Sequence, residues 1–221
     1  MGLEQQLADF RAEFGKTASK ERIALYEAKI EELRSGFPLS RAVKVGDNAP
    51  DFSLPDALGR RVSLSGVLRN GPAVVTFYRG GWCPYCNIQL RAYQEALPRM
   101  TALGARLMAI SPQLPDASLS VVEKNQLTFD VLSDPGNQVA RSFGLVYVLP
   151  AELRQMLSSL GKPLPQFNGD ESWELPLTAT YVVAPNGRVV LAFVDVDYRQ
   201  RLSPEKIISA LSSLEISLEK L

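Results

Sequence analysis

Apolar positions in the first 36 residues recur at helical spacing. Leu3, Leu7, Phe10 and Phe14 form one stripe, and Ile23, Tyr26, Ile30 and Leu33 form a second. Gly15 interrupts the first run, Thr17 or Ser19 can cap the second, and Gly36 followed by Pro38 stops it. Two helices are predicted. Stripes of this kind serve equally as a partner arm, through which two copies form a homodimer, or as a helical hairpin packed on its own domain.

Beyond residue 40 the period shortens. Residues 45–66 alternate polar and apolar around Pro55, Asp56 and Gly59, which predicts strands at 51–54 and 61–64. PAVVTFYR (72–79) and ARLMAIS (105–111) are apolar runs of buried-strand length. Between them Ile88, Leu90, Tyr93 and Leu97 predict a helix over 84–97, which Pro98 ends or kinks. Strand, helix and strand in that order make a right-handed βαβ unit. A helix near 116–125, a strand near 129–132 and a helix near 136–143 follow. Residues 146–177 are expected to be irregular apart from a helix at 150–160 closed by Gly161, with Tyr147, Phe167 and Trp173 as candidate walls of a site. At 178–195 two β-rich runs flank Asn186-Gly187, the preferred pair of a type I′ turn. A last amphipathic helix starts at Ser203-Pro204, with Glu205, Lys206, Glu215 and Lys220 on a solvated face. The expected class is α/β with a thioredoxin-like fold: a helical extension over 1–40, then one domain over 41–221 with an insertion before its final hairpin.

Composition narrows the chemistry. Lys and Arg number 24, as do Asp and Glu, so net charge draws the chain to neither nucleic acid nor an anionic membrane. No apolar run approaches the roughly 20 residues of a membrane span. MGLEQQLADFRAEF is too charged for a secretory signal, so the expected address is the cytoplasm. Histidine is absent, which excludes Ser-His-Asp and Cys-His catalysis and every histidine-containing zinc site. No nucleotide-binding glycine motif occurs, and no metal or other cofactor is expected.

What remains is Cys83 and Cys86, the only cysteines, in WCPYC after a buried strand. Residues i and i+3 at a helix start face the same way, so the sulfurs can meet. Pro84 suits the first helical position, which makes Cys83 the N-cap. Unpartnered amides of Tyr85 and Cys86 would then stabilise a Cys83 thiolate, aided by the helix dipole. Cys83 is therefore the expected nucleophile, with Cys86 resolving the mixed disulfide. Two inert core cysteines, or a metal or cluster shared between chains, are the plainer alternatives.

VGDNAPDFSLPDALGRRVSL, VVTFYR and LSDPGNQVARSFGL resemble the peroxiredoxin-like alkyl hydroperoxide reductase and thiol-specific antioxidant family over about 45–145 and 178–200. The resemblance implies a thioredoxin-like fold and reduction of hydroperoxides by a cysteine that passes through a sulfenic acid, with thioredoxin or a similar dithiol as electron donor. FYRGGWCPYC departs from the family pattern. It sets Cys86 at the family's attacking position, Cys83 where a threonine is usual and Arg79 at the usual proline, while Thr178 stands where an arginine begins a later strand. WCPYC is also similar to thioredoxins and glutaredoxins, in which the first cysteine attacks. Their buried acid would fall near Thr76 and their cis-proline at Thr178, with Pro176 two residues earlier. Arg79 can replace the missing guanidinium, although an exposed loop arginine is its simplest role. Trp82 is expected to shield the sulfurs. The expected function is a thiol-dependent hydroperoxide reductase cycling through a Cys83–Cys86 disulfide. A protein disulfide reductase, a non-catalytic metal or cluster module and an interaction protein are its rivals.

Overall fold

The computed structural model describes residues 1–218. Lys220 and the end of the expected 41–221 domain lie outside them. Two N-terminal helices, α1 (Leu3–Thr17) and α2 (Lys20–Gly36), form a hairpin whose Ser19 hydroxyl accepts from the Arg22 amide as N-cap. The small antiparallel pair β1 (Ser53–Pro55) and β2 (Arg61–Ser63) precedes α3 (Leu64–Leu68). The central run is β3 (Ala73–Phe77), α4 (Pro84–Ala102), β4 (Arg106–Ser111), α5 (Pro115–Asn125), β5 (Asp130–Ser133) and α6 (Gln138–Ser142). The insertion follows: β6 (Val146–Val148), α7 (Ala151–Ser159), α8 (Leu164–Asn168) and β7 (Glu174–Pro176). The hairpin β8 (Thr178–Val183) and β9 (Val189–Asp195) and helix α9 (Pro204–Leu218) close the fold.

Five strands make the central sheet in the order β5-β4-β3-β8-β9, with β3, β4 and β5 parallel and β8 and β9 each antiparallel to its neighbour. Side chains alternate between its faces. Val74, Leu107, Ala109 and Val182 pack beneath α4, α9 and α1. Val75, Phe77, Ile110 and Tyr181 point the other way, against Phe143 and the β1–β2 unit. Burial of both faces explains why these strands read as continuous apolar runs.

Three local expectations change and one open alternative takes a side. Helix α4 continues through Pro98 to Ala102, because Tyr93, Ala96 and Met100 keep its inner face buried against the sheet. The β8–β9 turn is not type I′: only Gly187 has positive φ, and Pro185 fixes the backbone upstream. The amide of Gly187 bonds the Ala184 carbonyl, and the Ala184 amide bonds that of Arg188. This is a type I turn closed by a glycine bulge. The insertion is ordered: β6 pairs with β7, while Leu149, Leu153, Leu157, Leu164 and Leu175 make a third apolar cluster joined by Trp82, Tyr147, Phe167 and Trp173. Finally, the N-terminal stripes are used within the chain. Leu3 and Leu7 pack on the α4 side of the core, and Phe10 meets Tyr85 edge-on at 5.0 Å. Among the described residues no helix is long and apolar enough to cross a membrane.

Candidate active site

The site begins where β3 ends. The Tyr78 amide still bonds the Ile110 carbonyl, after which Arg79–Trp82 loop over into α4. Two glycines let this loop lie flat. Gly80 has φ 139°, and a Cβ there would fall 2.5 Å from Trp82 Nε1. A Cβ on Gly81 would stand 2.3 Å from Val121 Cγ2 of α5. Side chains then tie the loop down. Gln113 Oε1 accepts from the Gly81 amide at 2.7 Å. Asn87 Nδ2 donates to the carbonyls of Gly81 (2.8 Å) and Cys83 (3.1 Å), and Asn87 Oδ1 accepts from Asn125.

Cys83 is the N-cap of α4 and exposed Pro84 its first residue, as expected. Both cysteines are buried, Cys83 2% and Cys86 0% exposed, with no bond joining their sulfurs. The expected amide donors do not reach the Cys83 sulfur, which makes no capping hydrogen bond. The electrostatics run opposite to the helix-end expectation. Burial opposes ionisation of Cys86. A hydrogen bond from the Cys83 thiol, the charges of Arg201 and Arg79 and a hydrogen bond from Arg201 outweigh it, and hold Cys86 well below the ordinary thiol range. Cys83 is pushed well above that range, by burial first and by donating to Cys86 second.

Arg201 is the residue sequence reasoning missed. It sits in the segment between β9 and α9, 6% exposed, with Nη2 3.5 Å from Cys86 Sγ. Its Nε donates to the Tyr198 carbonyl at 2.9 Å, its Nη2 donates to the same oxygen, and its Nη1 donates to Gln89 Oε1. Gln89 Nε2 in turn reaches Thr76 Oγ1 (3.3 Å) and Tyr93 Oη (3.1 Å), and the Thr76 and Thr180 hydroxyls lie 2.9 Å apart. The position where a thioredoxin would bury an acid thus carries an uncharged hydroxyl, linked through Gln89 to Arg201. The guanidinium absent at Thr178 comes instead from 23 residues later in the chain. A signal existed, the empty position at Thr178, but only the folded topology says which arginine fills it.

The other candidates divide. Arg79 is not an exposed loop arginine: it is 4% exposed, with its guanidinium carbon 4.9 Å from the Trp82 ring centre and 4.2 Å from that of Tyr198. Its charge acts on both sulfurs. Trp82 is half-buried and packs against both the α4 side of the core and the cluster of the insertion. Thr178 is buried, and its hydroxyl makes no hydrogen bond to either sulfur. All three insertion aromatics pack on the insertion's own cluster, and of them Tyr147 also feels the charge of Arg79. A cavity of about 380 Å³ lies between the N-terminal hairpin and the loop, and Cys83 rather than Cys86 lines it.

A buried, guanidinium-paired sulfur with a thiol neighbour one helical turn away can attack an electrophile and then be resolved locally. Comparison with known proteins places the chain in a family. The AhpC/TSA family model matches residues 45–192. The chain is 30% identical over 194 residues to peroxiredoxin Q, chloroplastic, of Sedum lineare, covering 88% of this chain and 89% of that one. It is 34% identical over 103 residues to a putative peroxiredoxin bcp of Haemophilus influenzae, covering 47% and 66%. The crystal structure of peroxidoxin BcpB from Mycobacterium tuberculosis superposes with a TM-score of 0.62 at 22% identity, over 78% of this chain and 98% of that one, a likeness of fold. The chain belongs to the AhpC/TSA family of peroxiredoxin-type oxidoreductases.

Proposed function

We propose that this chain is a thiol-dependent hydroperoxide reductase in which Cys86 attacks and Cys83 resolves. The observation that carries the reading is the Arg201 guanidinium 3.5 Å from Cys86 Sγ inside a buried network, with no comparable donor to Cys83. The Cys86 thiolate attacks the terminal oxygen of ROOH, the O–O bond breaks, and protonated ROH leaves as Cys86 becomes a sulfenic acid. The Cys83 sulfur then displaces that hydroxyl as water, giving the Cys83–Cys86 disulfide. An external thiol returns two electrons. Arg201 holds the attacking sulfur ionised, and Arg79 adds a second positive charge. Neighbouring cysteines let resolution proceed without unfolding α4.

The test is peroxide-dependent oxidation of a thiol reductant by the purified chain, beside insulin disulfide reduction at equal protein concentration. Peroxide turnover lost in the Cys83→Ser/Cys86→Ser double variant supports the reading. Insulin reduction without peroxide turnover would replace it with a disulfide reductase.

A further inference from the structure

The cavity facing Cys83 carries a charge pattern of which the peroxide chemistry uses only Arg79. Five cations line it, against one carboxylate, Glu27. Glu27 is committed to Arg11 at 3.2 Å and to Arg199 at 2.6 Å. The remaining three cations, Arg22, Arg79 and Lys162, have no carboxylate partner among the described residues. The Nε atoms of Arg22 and Arg79 are buried without hydrogen-bond partners, and Arg79 is more than nine-tenths buried. Buried donors are normally met. Aromatic faces hold both guanidiniums in place: Phe14 lies 5.1 Å from that of Arg22, and Tyr198 4.2 Å from that of Arg79. Lys162 feels the charges of Arg22, Arg79 and Cys83, so the three cations and the sulfur share one electrostatic neighbourhood.

We propose that this cavity binds the carboxylate of a small thiol, which reopens the disulfide by attacking the Cys83 sulfur. The inference rests on the disulfide cycle above and names its reductant. Planar guanidinium forks match a carboxylate, the oxyanion that small biological thiols carry. The cavity is large enough for a compact ligand and reaches Cys83 but not Cys86. Both sulfurs are buried and the hairpin walls the cavity that reaches Cys83, a setting that suits a small molecule better than the face of another protein. The chemistry agrees on which sulfur is attacked. The incoming thiolate forms an S–S bond with Cys83 and expels Cys86 as the thiolate that Arg201 hydrogen-bonds, and the more stable thiolate leaves faster. A second thiolate then attacks the ligand sulfur of that mixed disulfide. RSSR leaves, and Cys83 departs as a thiolate and takes up a proton. Overall ROOH and two RSH give ROH, water and RSSR.

Oxidising the full-length chain with diamide rather than peroxide makes the test independent of peroxidase turnover. Reduction of the disulfide is then followed by stopped-flow tryptophan fluorescence with anionic 3-mercaptopropionate and with cationic cysteamine, each rate divided by thiolate concentration. The anionic thiol is expected to react about tenfold faster. Arg22→Gln and Lys162→Gln should each bring that ratio toward one, and a general loss of packing would move both rates together instead. Equal rates in the unsubstituted chain, or a ratio neither substitution lowers, would overturn the proposal. So would failure of diamide to link Cys83 and Cys86. In a second arm the reduced chain meets a carboxylate-bearing and a neutral hydroperoxide. A charge preference in that step alone would assign the cations to the peroxide and likewise overturn it.

Discussion

Cys83 and Cys86 are one helical turn apart and share one core cluster, yet they face different surroundings. Cys83 caps α4 and borders the cavity beneath the N-terminal hairpin. Cys86 faces inward, where Arg201, Gln89, Thr76, Thr180 and Tyr93 form a hydrogen-bonded network. Position at a helix start favours the first sulfur as thiolate. A guanidinium aimed at the second, together with the donated thiol of the first, reverses that preference. A thiol donated at short range and two nearby guanidinium charges outweigh the diffuse field of a helix end that reaches the sulfur through no amide.

The comparison breaks most sharply by removing each sulfur in turn. Cys86→Ser should abolish peroxide reduction, a loss of at least about a thousandfold in turnover. Cys83→Ser should still form a sulfenic acid, trapped by dimedone and located by mass spectrometry. Trapping on Cys83 in the Cys86→Ser protein, with none on Cys86 in the other, would restore the helix-end assignment.

Arg201→Met should come next, with roughly a ten- to hundredfold slower reaction of Cys86 at neutral pH and Arg201→Lys in between. The sign follows from thiolate supply. Alkylation of Cys86 by iodoacetamide should keep its rate as pH falls below about 8.5, where a free cysteine has lost half of its thiolate, and decline only at lower pH. In Arg201→Met the decline should shift upward, toward free cysteine. Cys83, pushed the other way, should stay slow through neutral pH in both proteins.

The shared loop gives a smaller effect. Gly81→Ala should cost about 1–3 kcal/mol in urea denaturation, since the new methyl lands on Val121, and Val121→Ala should restore part of the loss. Smallest is Glu27→Gln on the Cys83 side. The ion pair with Arg199 is half-exposed at Glu27, so the loss should stay below about 1 kcal/mol in the same measurement.

Much of this was legible from local pattern. Helical stripes located α1, α2 and α9, apolar runs located β3 and β4, and Pro84 after Cys83 located the helix start. Legibility failed where the deciding partner is distant. Pro98 reads as a helix stop or kink until Tyr93 and Met100 are seen anchored in the core. Asn186-Gly187 reads as type I′ until the constraint of Pro185 is counted. The insertion has little periodicity of its own because its leucines pack on one another across short pieces. Arg201 lies 115 residues from Cys86, and only the closing of β9 into α9 brings the two together.

The short segment between β9 and α9 deserves a final consequence. Asp197 accepts from Arg199, which in turn donates to Glu27 of the hairpin, the Tyr198 ring stacks on Arg79, and Arg201 grips Cys86. These grips alternate along five consecutive residues, so adding or deleting a single amino acid here would unseat all of them together. Its length is as much a part of the enzyme as any of its side chains.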